Sequence, residues 1–307
     1  MSELPPRKAL LSRTKLDCYS IVRLIGSGGF SLIYLARDIG TQDEVAIKEY
    51  FPKRFGIRDE DGQVNVCEEK RLNSFYRGLK LFFLEAKALA NLIHPNIVKV
   101  RNCFLDNGSA YLVMDYEPGK NLGTYIKKRQ GGLSTNFLMT VFPPLLDALN
   151  LMHNQQQLHL DIKPGNIHLR PGGNPLLLDF GAVHHYSNPE EKHKAQIITP
   201  GFSPIEQYYS KGNIGPWSDV YAVGATMRAC LDGKPPPSAT ELDAGKETLQ
   251  PAVEKYSERY PIWLLEAIDW AMEIDAQQRP DSAAKLRFAL LEQSGRPEKQ
   301  DITEQSE

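Results

Sequence analysis

The sequence predicts an α+β fold in two parts, a small strand-rich part with one key helix and a larger part that is mostly α-helical. Three observations predict it. Runs rich in β-branched and aromatic residues at 21–25, 32–36 and 44–48 are bounded by turn residues and read as strands, and 97–100 and 111–114 follow in the same manner. One amphipathic helix interrupts them: Leu79, Phe82, Phe83, Ala86, Ala90 and Ile93 recur at i, i+3, i+4, i+7, i+11 and i+14. Beyond residue 120 the spacing turns helical, with Leu145, Leu146, Leu149 and Met152 on one face and further helices at 220–230, 262–272 and 283–291.

The strands at 21–25 and 32–36 are joined by a glycine-rich turn, G-S-G-G-F-S over 26–31. After the third strand, 49–77 mixes charged and aromatic residues without a period. His94-Pro95-Asn96 closes the helix that follows, because proline cannot continue the hydrogen-bonded ladder. Pro143-Pro144 should kink or start the helix that holds Leu145. The run 167–170, then P-G-G-N, then 175–178 reads as a hairpin leading into Asp179. Residues 231–245 are rich in Pro, Gly and Ser and read as a loop, and the polar tail from 293 as disordered.

At 307 residues the chain can hold one large domain or two small ones. A 41% hydrophobic and 24% charged composition is that of an ordinary globular protein. The net charge of -2 supports neither nucleic-acid nor membrane-surface binding. Four scattered cysteines without a C-x-x-C pair point to reduced thiols rather than a disulfide frame or a zinc site. The N-terminus lacks the apolar core of a signal peptide, and no apolar run approaches the ~20 residues of a membrane span. The expected location is the cytoplasm, as a whole protein or as the cytoplasmic domain of a longer one.

Residues 159–166 read H-L-D-I-K-P-G-N, and thirteen residues after Asn166 comes Asp179-Phe180-Gly181. Upstream, V-A-I-K ends at Lys48. Phosphoryl transfer is catalysed mainly by positioning and charge stabilisation, so it needs phosphate donors, oxygen ligands for magnesium and a base aimed at the incoming hydroxyl. The motifs supply these residue types. The glycine stretch lies between two strands and does not open a helix, which argues against a dinucleotide fold, although a plain tight turn would read the same way. Glu85 sits beside Leu81, Phe82 and Leu89 at i−4, i−3 and i+4, where a carboxylate is costly unless paired; Glu68 and Glu69 compete as partners for Lys48. Singly, Asp161 or Asp179 could be a turn-capping aspartate.

Together and in this order, the motifs resemble the catalytic domain of protein kinases, in particular the bacterial, eukaryotic-like (Hanks-type) serine/threonine kinases, over roughly residues 17–291. The resemblance implies a bilobal fold: an N-terminal extension at 1–16, a kinase domain at 17–292 with N-lobe 17–114, hinge 115–119 and C-lobe 120–292, and a tail at 293–307. It implies ATP and Mg2+. By resemblance Lys48 pairs with phosphates and with Glu85, Asp161 is the base, Lys163 neutralises the transferred phosphoryl group, and Asn166 and Asp179 hold the magnesium. Nucleotide contacts fall to Gly26, Ser27, Gly28, Gly29, Phe30, Ile33, Ala46, Met114 at the gatekeeper position, Asp115, Glu117 and His168. His159 and Asp219 match residues that support the catalytic loop, Glu206 and Arg279 an ion pair behind the activation segment, and Thr199-Pro200-Gly201 the substrate-docking loop. These last features favour a protein substrate over a metabolite. The expected activity is ATP-dependent serine/threonine phosphorylation in bacterial signalling; a pseudokinase serving as an ATP-binding module is the alternative.

The chain departs from the family pattern at several positions. Leu160 stands where many members have an arginine that binds an activation-loop phosphate, and 182–198 contains no threonine, only Tyr186 and Ser187 as hydroxyls; activity is therefore expected without loop phosphorylation. Ser31 replaces the third glycine of the loop, and Ile205 the proline before Glu206. His168 falls where an apolar residue is usual and reads equally as a neutral, satisfied histidine. His184, His185 and His193 read as a solvated loop, with metal binding as the alternative. The gap of thirty-seven residues between Lys48 and Glu85 is long for the family, so 49–77 is either an inert excursion or a place where a regulatory partner acts on the Lys48–Glu85 pair.

Overall fold

The computed structural model describes residues 9–180, 184–185, 197–210 and 212–294. The chain divides into two compact units: Met1–Gly119 with Leu176–Val183, and Lys120–Pro175 with His184–Glu307.

The first unit is built on β1 (Lys15–Leu16), β2 (Tyr19–Ser27), β3 (Ser31–Asp38), β4 (Glu44–Tyr50), β7 (Val100–Asp106) and β8 (Ser109–Asp115). They form a six-stranded antiparallel sheet in the order β1-β2-β3-β4-β8-β7. Val45 and Ile47 to Tyr50 of β4 are all buried, so this strand has no solvent face and its polar residues need internal partners. Residues before β2 also pack here: Leu10 is buried, and its N–H donates to the Tyr34 hydroxyl at 3.1 Å.

The stretch 49–77, featureless in sequence, resolves into two three-residue strands, β5 (Gly56–Arg58) and β6 (Val64–Val66), paired as a hairpin, then a 3-10 turn at Glu69–Arg71 and the first turns of a helix. Strands this short leave no measurable period. The helix, α1 (Leu72–Ala90), starts earlier than the apolar spacing from Leu79 indicates and ends sooner, since Ile93 is 91% exposed. Its early start is a tertiary effect. The Tyr50 ring at the end of β4 packs on Phe75 (centroids 5.3 Å apart) and Phe82 (6.1 Å), so the first turns gain burial that their own sequence pattern does not announce. Tyr50 lies against Gly78, where a Cβ would stand 2.0 Å from its hydroxyl oxygen. Gly78→Val should therefore cost about 1–3 kcal/mol in urea unfolding, and an unchanged midpoint would show that α1 does not seat on Tyr50.

The segment 176–180 joins this unit by main-chain bonds: Leu177 N–H donates to the Asn96 carbonyl at 2.8 Å, and Val98 N–H donates to the Leu177 carbonyl at 3.3 Å. Ile97 and Leu177 form a parallel bridge. The expected strand at 97–100 is thus an isolated bridge followed by β7, and its partner comes from far along the chain.

The second unit starts with β9 (Lys120–Asn121) and α2 (Leu122–Arg129), whose cap Asn121 accepts from Thr124 N–H at 2.7 Å. Next come α3 (Thr135–Asn154), β10 (Gln157–Leu158), a 3-10 turn at Pro164–Asn166, β11 (Ile167–Leu169) and β12 (Pro175–Leu177), which runs on along the chain into the first unit's segment from Leu176. Pro143 and Pro144 lie inside α3 and do not begin it. Leu138, Val141, Phe142, Leu145, Leu146, Leu149 and Met152 are all buried, and that burial outweighs the roughly 3 kcal/mol that an interior proline costs. The backbone at β13 (His184–His185) pairs with β10. The tail expected to be disordered from 293 begins instead as the end of a helix at Ala283–Ser294, and the expectations for Tyr186, Ser187, His193 and 295–307 lie outside the described residues. The remaining elements are α4 (Pro216–Asp232), α5 (Ala239–Asp243), α6 (Ala252–Tyr256), α7 (Ile262–Ala271) and α8 (Ala283–Ser294). Every residue of α4 from Ser218 to Leu231 is buried, as befits the central helix of a helical unit. The expected loop at 231–245 contains α5, nucleated by a Ser238–Glu241 capping box. No described helix is long and apolar enough to cross a membrane.

Candidate active site

Strand β4 sets Lys48 between Ile33 of β3 and Leu112 of β8. Its Nζ donates to Glu85 Oε1 at 2.7 Å and to Asp179 Oδ1 at 2.8 Å. Glu85 is the glutamate that meets Lys48; of its competitors, Glu68 pairs with Lys70 at the surface. Phe82, Ala86 and Leu89, on the buried stripe of α1, turn Glu85 inward. Burial alone would lower the pKa of Lys48, but Glu85 and Asp179 outweigh it and hold the ammonium above the ordinary lysine value. Burial also pushes the Glu85 carboxyl up, against the opposing pull of Lys48. Asp179 sits in the left-handed region at φ 60°, with its side chain 48% exposed.

The glycine-rich turn between β2 and β3 is closed by Gly28 N–H donating to the Ser31 carbonyl at 2.8 Å. The Gly29 and Phe30 carbonyls accept from Lys53 N–H (3.0 Å) and Phe51 N–H (2.8 Å), so the turn is tied to the chain after β4, and the Phe30 side chain at its tip is exposed. Gly26 pairs with Ile33, and Ser27 with Leu32. Ala46 pairs with Met114, which is buried at the end of β8. Asp115 accepts from Arg101, which also bridges to Asp43 at 3.1 Å; Glu117 is half-buried just beyond.

Next to Lys48 lies a group that sequence reasoning missed. Glu49 points to the other face of β4 and is 0% exposed. Its Oε2 accepts from the Tyr34 hydroxyl at 2.8 Å and from Arg58 at 2.6 Å, and its Oε1 from the Tyr111 hydroxyl at 2.6 Å. Arg58 comes from β5, donates to the Gly62 carbonyl at 2.7 Å and stacks over Phe51 at 5.3 Å. Burial, followed by the Glu49 charge, pushes both phenols above their usual value, so Tyr34 and Tyr111 stay neutral donors. The signal was a second charged residue, beside Lys48, flanked by the apolar Val45, Ile47, Tyr50 and Phe51; nothing in the sequence marks Arg58 rather than Arg54 as its partner.

In the second unit, the Asp161 carboxylate is held by four contacts. Lys163 Nζ donates to both oxygens at 2.8 Å, the Thr199 hydroxyl to Oδ1 at 2.7 Å and Asn166 Nδ2 to Oδ2 at 2.9 Å. Lys163 also reaches Thr199 Oγ1 at 3.1 Å. Asn166 donates its second N–H to the Asp161 carbonyl at 2.8 Å, so its amide oxygen has no protein donor among the described residues. His168 lies half-buried in β11 opposite Asn121.

The loop that carries Asp161 is pinned from below. Asp219, fully buried in α4, accepts from the His159 N–H at 2.9 Å and the Leu160 N–H at 2.8 Å. It also meets His153 Nε2 at 2.8 Å. Gln207 donates to the Leu160 carbonyl at 3.0 Å. These contacts hold Leu160, a branched residue, at φ 57°, a conformation unfavourable for any residue but glycine. His153 and Gln207 are the supports that the sequence did not reveal. Glu206 forms a two-pronged pair with Arg279 (2.8 and 3.1 Å) and accepts from the Ser218 hydroxyl at 2.8 Å. Arg279 also donates to the carbonyls of Glu273, Ile274 and Trp217 and lies over Tyr221 at 4.8 Å.

Burial would raise the Asp219 pKa, but His153 and the loop N–H groups hold it below its usual 3.8. A depressed carboxyl contributes stability that is present above the unfolded-state value and is lost as pH falls through the folded one. Unfolding free energy should therefore decline below about pH 4. Asp219→Asn should flatten that decline without abolishing it, because Asp232 is also held low, its burial outweighed by Lys255, Tyr256 and Arg228. An acid limb of wild-type slope in the variant would contradict the assignment.

The protein kinase domain model matches residues 19–291. Kinase D of Synechocystis is 30% identical over 286 residues, 90% of this chain and 52% of that protein. PrkC of Bacillus subtilis is 31% identical over 218 residues, 71% of this chain and 31% of that protein. The solved structure "PpkA-294 apo form" aligns with a TM-score of 0.83 at 30% identity, covering 92% of this chain and all of that one. The chain spans between 22% and 52% of the length of such curated relatives. It belongs to the protein kinase family, with the bilobal fold of that family and bacterial serine/threonine kinases among its relatives.

Proposed function

We propose that this chain is an ATP-dependent serine/threonine protein kinase. The observation that carries the reading is the Asp161 carboxylate, buried, pinned through Asp219 and flanked by Lys163 and Thr199. A base held this way is oriented for one hydroxyl, and an adjacent cation offsets the charge that develops on the transferred group. The names of the bacterial relatives support the serine/threonine class.

In this reading Lys48, kept protonated by Glu85 and Asp179, grips the ATP phosphates together with the turn Gly26, Ser27, Gly28, Gly29 and Phe30. Ile33, Ala46, Met114, Asp115 and Glu117 receive the base and ribose, and His168 joins them by resemblance alone. By resemblance Asn166 and Asp179 would hold the metal, and each by itself offers a hard cation an oxygen, the one an amide oxygen and the other a half-exposed carboxylate. Magnesium, when bound, neutralises charge on the phosphate oxygens. Thr199 orients Asp161 toward the acceptor, and the Glu206–Arg279 pair fixes the segment beyond it. The 49–77 segment braces α1 through Tyr50 and β4 through Arg58, and a regulatory partner bound there would act on the Lys48–Glu85 pair. The cytoplasm is the site of action.

The test is incubation of the full chain with Mg·ATP and a generic protein substrate, with phosphosites mapped by mass spectrometry. Phosphoserine or phosphothreonine is the expected product, and prior phosphatase treatment should not reduce its yield. ATP binding with no transfer to any hydroxyl would leave a pseudokinase.

A further inference from the structure

A pocket of about 350 Å³ opens in the second unit beside Lys163. Its apolar floor includes Ile126 and Phe202, both buried. Three lysines line it, Lys127 from α2, Lys163 from the Asp161 loop and Lys234 just after α4, and no carboxylate lines it among the described residues. Gly123, Gly165 and Gly233 keep the walls free of side chains. Lys163 is already matched in charge by Asp161. Lys127 and Lys234 are exposed and make no ion pair among the described residues. Asp232, the nearest carboxylate along the chain, is committed to Arg228 and Lys255 at 2.8 Å each. The pocket therefore carries an uncompensated positive charge above an apolar floor.

We propose that this pocket reads an acidic side chain of the protein substrate, an aspartate or glutamate about two to four residues from the acceptor hydroxyl. The proposal rests on the kinase reading and adds a substrate class to it. The distance follows from Lys163, which lines the pocket while its Nζ touches Asp161 and Thr199, so pocket and base lie one lysine side chain apart. The floor receives the methylenes of the acidic residue and the two exposed ammonium groups of Lys127 and Lys234 receive its charge. A lysine or arginine there would meet like charge, so the pocket excludes basic-flanked sites as much as it attracts acidic ones.

The experiment uses the full chain with Mg·ATP and a set of short peptides, each with one serine and with Asp, Ala or Lys scanned through the flanking positions. At one position Asp should exceed Lys by about tenfold in kcat/KM, the sum of two exposed charge contacts, expressed mainly in KM and shrinking at high salt. Lys127→Glu with Lys234→Glu should reverse the ratio. Equal turnover of Asp and Lys peptides at every position, or a preference that the charge reversal does not move, overturns the proposal. Peptide binding without ATP, read by fluorescence polarisation, separates the two layers. Charge-selective binding with no turnover of any peptide would sink the kinase reading and support the pocket, whereas turnover without charge selectivity sinks the pocket alone.

Discussion

Asp161→Asn is expected to lower phosphoryl turnover by about 10²- to 10⁴-fold, the usual contribution of a positioned base. The four contacts on this carboxylate come from Lys163, Thr199 and Asn166, and all are donors. An amide offers one acceptor oxygen and turns an N–H₂ toward one of those donors, so the variant loses both the proton acceptor and the geometry that aims it. The phosphate grip proposed for Lys48 rests on its pairs with Glu85 and Asp179 and not on Asp161, so ATP affinity by direct titration should stay near wild type. Turnover within a few-fold of wild type would remove Asp161 from the mechanism. An unfolded variant would be uninformative about the base, and Asp161→Glu supplies the second measurement. It keeps the charge but displaces it by one methylene, and should also fall by at least tenfold if position is what matters.

Arg58→Ala should destabilise the protein by about 3–5 kcal/mol, the cost of leaving one member of a buried ion pair without its partner. Glu49 would keep two tyrosine hydroxyls as donors but no cation, in a site with no solvent exposure. The stack on Phe51 and the bond to the Gly62 carbonyl would go as well. The measurement is the urea midpoint. The double variant Glu49→Leu/Arg58→Met should recover part of the loss, because a well-packed apolar pair often replaces a buried salt bridge at little cost. Recovery should stop short of wild type, since the Tyr34 and Tyr111 hydroxyls would then be buried without an acceptor at about 1–3 kcal/mol each. A single Arg58→Ala variant as stable as wild type would make the 49–77 segment the inert excursion that the sequence also permitted. Because Glu49 follows Lys48 in the same strand, a weakened network should also raise the KM for ATP.

What the sequence determined by itself was the list of chemical groups and their order along the chain. H-L-D-I-K-P-G-N, D-F-G and V-A-I-K are local strings, and they are legible because each binding or proton-transfer role admits few residue types. The central strands and α4 were legible for a related reason: an element with a buried face carries its periodicity in its own residues. Tertiary structure decided whatever depends on contacts between distant residues. It selected Glu85 over Glu68 and Glu69, because only the buried stripe of α1 meets Lys48. It started α1 at Leu72, because Tyr50 supplies the burial, and carried α3 through Pro143 and Pro144, because the apolar stripe outweighs two lost N–H donors. It placed His153 and Gln207 under Leu160, and Arg58 against Glu49. A hydrogen bond between residues tens of positions apart leaves no local pattern, since either partner alone reads as an ordinary polar residue. The identities of the candidate reacting groups were therefore written in the chain, and their supports became visible only once the chain was folded.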